Sequence, residues 1–123
     1  MKTLIAAALA LGLALPAAAQ TPASSDCDIS VRFGSYAMGI DQRSFDRVER
    51  YASRHKRLVA RTSVERWGRE GERTVCLDTR SRRATNQVFS DLKRLVRAGA
   101  ARGPTEITAA DGRVWSADPG PPR

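Results

Sequence analysis

Ile29, Val31 and Phe33 alternate with Ser30 and Arg32. A period of two predicts a half-buried strand over 28–33. After the connection 34–39 the period changes. Phe45, Val48 and Ala52, with Tyr51 alongside, form one apolar stripe at helical spacing. They predict a helix over 42–54. Asp41 stands at its N-cap, where a carboxylate accepts the free amide hydrogens of the first turn. Ile40 and Phe45 occupy the two hydrophobic-staple positions. Leu58 to Val64 is rich in β-branched and apolar residues and predicts a second strand. Trp67-Gly68-Arg69-Glu70-Gly71 carries the glycines of a turn, and Arg73 to Leu77 predicts the returning strand of a hairpin. Ala84, Val88, Leu92, Leu95 and Val96 give a second helix its buried stripe over 81–97, with Phe89 on the flank and Gly99 as terminator. Thr105 to Thr108 predicts a short strand. Asp111-Gly112 is a tight-turn dipeptide, after which 113–116 is a candidate fifth strand.

This order predicts an α+β fold. It is a two-layer sandwich, ferredoxin-like β-α-β-β-α-β with a candidate extra C-terminal strand, one antiparallel sheet and two helices on one face. The expected strand order is 4-1-3-2. The two cysteines, Cys27 and Cys76, test it. Strands one and three would be antiparallel neighbours, which brings the start of one beside the end of the other. The phase is awkward: Cys27 alternates with Ile29, whereas Cys76 is out of phase with Val75 and Leu77. A bulge or an irregular start to strand one is required.

The strand–loop–helix order of Ser30 to Tyr51, with a second helix opening on Arg83-Ala84, loosely resembles the peptidoglycan-binding OmpA-like domain. The resemblance spans about half of the chain beyond residue 19. It implies an association with the bacterial envelope. The family's glycine–threonine–aspartate turn is absent, since Ser63-Val64-Glu65-Arg66-Trp67-Gly68 stands in its place, and membership is not claimed.

The N-terminus follows a different rule. Lys2 gives a short positive region, 3–15 is apolar, Pro16 breaks it, and Ala17-Ala18-Ala19 offers small residues for cleavage. This predicts a cleaved signal peptide over 1–19 and a mature chain starting at Gln20. The apolar run is shorter than the about 20 residues needed to span a bilayer. No transmembrane span is expected after processing. The expected organisation is then a flexible leader over 20–27, a single α+β domain over 28–117 and a disordered Pro-rich tail over 118–123. The expected location is periplasmic or secreted. In that oxidising setting an even pair of cysteines reads as a disulfide.

With 123 residues the chain has room for one domain. Its net charge is +8, carried by 18 arginines and 3 lysines. Arg43, Arg47, Arg50 and Arg54 fall on one face of the first helix, a candidate anion-binding stripe for anionic cell-wall or outer-membrane material. Asp46 and Glu49 lie among them, and Arg43–Asp46 and Asp46–Arg50 have the spacing of helical ion pairs. Trp67, with Arg66 and Arg69, sits at the hairpin turn as a candidate partner contact; the alternative is that it folds back to cap the core, stacked on a neighbouring arginine. Nucleic acid is not expected as a partner, because export removes it and Ser30, Arg32 and Thr74, assigned to the open sheet face, are not aromatic.

Catalytic signatures are absent: no nucleophile elbow, phosphate loop or zinc-protease motif occurs. His55 is the only histidine. It ends the first helix among cationic residues, where a helix-end role is expected. Glu65, Glu70 and Glu72 each neighbour an arginine, which works against a general acid, and are expected as solvated hairpin charges. No catalytic residue, metal site or cofactor is assigned. The expectation is a non-enzymatic binding or assembly module that meets an envelope protein or itself. A binder of anionic envelope material is the alternative, and a small periplasmic enzyme the third.

Overall fold

The computed structural model describes residues 26–97 and 102–121, together with the isolated positions 12 and 123. The expected signal peptide apart from Gly12, most of the expected leader, and Gly99 lie outside the described residues. The elements are β1 (Ile29–Phe33), α1 (Gln42–Arg54), β2 (Val59–Arg66), β3 (Arg73–Thr79), α2 (Arg82–Arg97), β4 (Thr105–Ala109) and β5 (Val114–Ala117). They make an α+β protein with one antiparallel five-stranded sheet, in the order β2-β3-β1-β4-β5. β1 is central and pairs with β3 on one side and β4 on the other.

The period-two pattern of β1 decides which face is covered. Ile29, Val31 and Phe33 are fully buried, while Arg32 is exposed. Both helices pack on the face that carries Ile29, Val31 and Phe33. Phe33 meets Phe45 of α1 edge to face at 5.4 Å between ring centres. Val88, Leu92 and Val96 of α2 complete the same core, with Val75, Leu77 and Ile107 below them. Burying each such side chain contributes about 1.5–3 kcal/mol.

α1 starts where its cap dictates. The Ser44 amide donates to Asp41 Oδ1 at 3.1 Å, and the Ser44 hydroxyl donates to Oδ2 at 2.7 Å. Ile40 and Phe45 are both buried beside this cap. α2 is capped by Ser81, whose hydroxyl accepts from the Ala84 amide at 3.0 Å. The hydroxyl of Tyr51 donates to Asp91 Oδ2 at 2.6 Å and joins the two helices. Burial and this bond push the Tyr51 pKa well above its ordinary value.

Cys27 and Cys76 form a disulfide, with 5.4 Å between their Cα atoms. The phase problem is resolved at Asp28. β1 begins only at Ile29, after a bend. The Asp28 carboxylate there accepts from the Thr79 amide at 2.7 Å, and Cys27, outside the strand, is not held to its alternation. An intramolecular disulfide is compatible with an oxidising, exported location. Among the described residues no helix is long and apolar enough to cross a membrane.

Candidate functional site

The sheet face away from the helices is uncovered, and its residues follow from register. Glu65, Thr74, Arg32, Glu106 and Ser116 form one row across β2, β3, β1, β4 and β5. Ser63, Cys76, Ser30, Thr108 and Val114 form the next. The face is mostly polar: Arg32, Ser30 and Thr74 lie near its centre beside the disulfide-bonded Cys76, Glu65 and Glu106 stand to either side, and Val114 is exposed at the β5 edge.

Trp67 lies over this face. It continues the alternation of Ser63 and Glu65 beyond the end of β2, and its amide donates to the Glu72 carbonyl at 3.0 Å. Its indole Nε1 donates to Thr74 Oγ1 at 3.1 Å. The Arg32 guanidinium stacks on the ring, 4.2 Å from its centre. Among the described residues Arg32 has no ion-pair partner, so its charge is offset by the ring and by water. A cleft of about 90 Å³ beside the stack is lined by Ser30, Arg32, Glu65, Trp67, Thr74, Glu106 and Thr108. A second hollow of about 280 Å³ continues past Trp67 to Gly34 and Pro104.

Trp67 is therefore half-buried and folded back, but onto the open face and onto Arg32 rather than an arginine of its own turn. Arg66 lies on the opposite side of β2 by strand alternation, since it pairs with Arg73. Arg69 is exposed in the turn. The structure does not bring these two to Trp67. The missing signal was simple: period two carried from Ser63 through Glu65 reaches Trp67. Its partner Arg32 is visible only once β1 is known to lie two strands away.

The hairpin carboxylates differ from expectation. Glu72 is buried rather than solvated. Its Oε2 accepts from the Glu70 amide at 2.7 Å, so the turn folds over it. Gly68 has a positive φ of 68°, and a Cβ there would collide with the Glu72 carboxylate. Only glycine suits both demands. Glu65 and Glu106 share one row but stand three strand spacings apart, roughly 14 Å at the backbone. The carboxyl groups of a glycosidase lie about 5–9.5 Å apart.

On the opposite side of the molecule, Arg43, Arg50 and Arg54 are exposed and Arg47 is partly covered. The expected ion pairs with Asp46 do not form. Asp46 Oδ1 accepts instead from Gln42 Nε2 at 2.9 Å, a partner one turn earlier that costs no arginine desolvation. Salt bridges among the described residues are Arg61–Asp78, Arg94–Asp91 and Arg113–Asp111, none of them on the stripe. His55 closes α1. Its backbone amide donates to the Tyr51 carbonyl at 3.0 Å, and Nδ1 lies 2.8 Å from the same oxygen. The imidazole ring stacks on the Tyr51 ring. A carbonyl only accepts, so Nδ1 carries the proton. Among the described residues no group of three or more His, Cys, Asp or Glu is arranged to hold a metal ion.

The chain matches no family model, no curated protein and no solved structure.

Proposed function

We propose that this chain is a small exported envelope protein that works as a non-enzymatic binding or assembly module. Its frame is read as ferredoxin-like, with β5 added beyond β4. The contact surface is the open sheet face, with the Trp67–Arg32 stack as its anchor. The observation that carries the reading is that stack. A tryptophan and an arginine pre-ordered on an uncovered, polar face offer a large contact area whose ordering cost is already met by folding. The pattern of residues 1–19 and the disulfide support export.

A partner of this face presents hydrogen-bonding groups to Thr108 and Glu106, and a flat apolar or aromatic group to the free side of Trp67. Trp67→Ala should leave the helices and the core intact, because the ring lies outside them. It should lower capture of the partner from the envelope fraction by at least tenfold, a hot-spot effect of about 2 kcal/mol. Equal capture by the variant and the parent would move the contact off this face.

The second reading, a binder of anionic envelope material, rests on Arg43, Arg50 and Arg54. These are exposed, fall on one face of α1 and are free of salt bridges among the described residues.

A further inference from the structure

β2 is an edge strand of eight residues, whereas the opposite edge, β5, has four. After Val59 every residue of β2 is exposed. The Trp67 amide donates to the Glu72 carbonyl, which fixes the ladder's phase. In an antiparallel ladder alternate residues turn their backbone groups to the same neighbour. Ser63 and Glu65 therefore face β3, and Thr62, Val64 and Arg66 present free N–H and C=O groups outward. Val64 is also one of three large apolar side chains exposed among the described residues, at 40%.

We infer that this edge pairs with the same edge of a second copy, antiparallel, about a two-fold axis through Ser63. The inference rests on the assembly reading above and names its partner. Only registers shifted by two residues keep each side chain on its own face. Centred on Ser63, Arg61 stands opposite Glu65 of the second copy, and symmetry repeats the pair. Thr62 stands opposite Val64 of the second copy, at the positions whose backbone groups are free, and Val64 is covered. Centred on Val64, Glu65 meets Ser63 and Arg66 meets Thr62. Centred on Thr62, Arg61 meets Ser63 and Glu65 meets Val59. Neither alternative matches opposite charges. Charged side chains usually guard an edge strand against pairing; here they select one register. Because both faces are preserved, the two open faces join on one side of a continuous ten-stranded sheet.

Sedimentation equilibrium of the purified protein over a wide concentration range tests this. A monomer–dimer equilibrium is expected. Glu65→Arg places like charges opposite each other twice and should weaken the dimer about tenfold. Arg61→Glu should act in the same direction, although it also faces Asp78 within the chain. The double variant Arg61→Glu/Glu65→Arg should restore dimerisation. Val64→Pro should abolish it without loss of circular-dichroism signal, because the lost N–H points outward. A monomer at every concentration, a dimer indifferent to Glu65→Arg, or a double variant as weak as the single ones would overturn the pairing. Capture through Trp67 is a separate readout. A monomer that still captures a partner through Trp67 overturns the self-pairing alone and leaves the open-face reading standing.

Discussion

The two sides of the sheet are held together by different physics. On the helix side, Val31, Leu77, Leu92 and Ile107 are fully buried and the strands are pinned by apolar packing. On the open side no helix covers the strands, and Trp67 lies over Arg32 and Thr74. There the order comes from the disulfide near one end of β1, the Arg32–Trp67 stack at the other, and hydrogen bonds such as Asp28 to Thr79. The helix side also presents Arg43, Arg50 and Arg54 of α1, which have no salt bridge among the described residues, while the open face carries hydroxyls, two carboxylates and Arg32. A face stabilised by packing can vary its outer residues freely. A face stabilised by a few named contacts cannot.

Breaking the covalent contact tests the difference most strongly. Cys76→Ser should cost on the order of 2–4 kcal/mol. For a domain of this size that lowers the melting temperature by roughly 10–25 °C, measured by calorimetry. Hydrogen exchange should rise first at the start of β1 and the end of β3, with α1 and α2 still protected. A uniform rise would show that one core holds both sides.

On the helix side the polar contact Tyr51 to Asp91 joins the two helices. Tyr51→Phe should cost about 1 kcal/mol near neutrality. Its pH dependence carries the sign. The folded state holds the phenol proton more tightly than the unfolded chain does, so the contribution is complete below the ordinary tyrosine pKa of about 10. It is lost as pH rises, because the unfolded chain then gives up a proton that the folded one keeps. Denaturant titrations across that range should show the parent losing more stability than the variant.

The smallest effect on stability belongs to the arginines. Replacing Arg43, Arg50 and Arg54 with Gln should change stability by no more than about 0.5 kcal/mol; Arg47 is left in place because it is partly covered. If α1 binds anionic envelope material, retention on anionic vesicles should fall and lose its salt dependence. Retention unchanged by the substitutions would assign the envelope contact to the sheet.

α1 was legible to the residue, because Asp41, Ile40, Phe45 and the apolar stripe are all local signals. β2 was read two residues short. Trp67-Gly68 marks a turn, but Glu65 and Arg66 before it are charged, and an exposed edge strand carries no apolar alternation to betray its length. Glu72 was misread because its burial depends on Gly68 folding above it, and Asp46 because Gln42 competes at the same helical spacing as Arg50. The Arg32–Trp67 contact joins residues from β1 and the hairpin turn, and no local pattern contains it.

The central position of β1 has a consequence in time. Among the described elements it is the first made, and its partners, β3 and β4, come after one helix and after both. Four of its five residues are buried in the finished molecule. Until Thr105 to Ala109 is synthesised, one whole flank of that apolar strand has nothing to bond to. Pairings so distant in sequence form slowly, since the intervening loop must close before any contact repays it. The chain is thus exposed to misassociation until β4 has been made. A binding chaperone would find β1, rather than either helix, waiting.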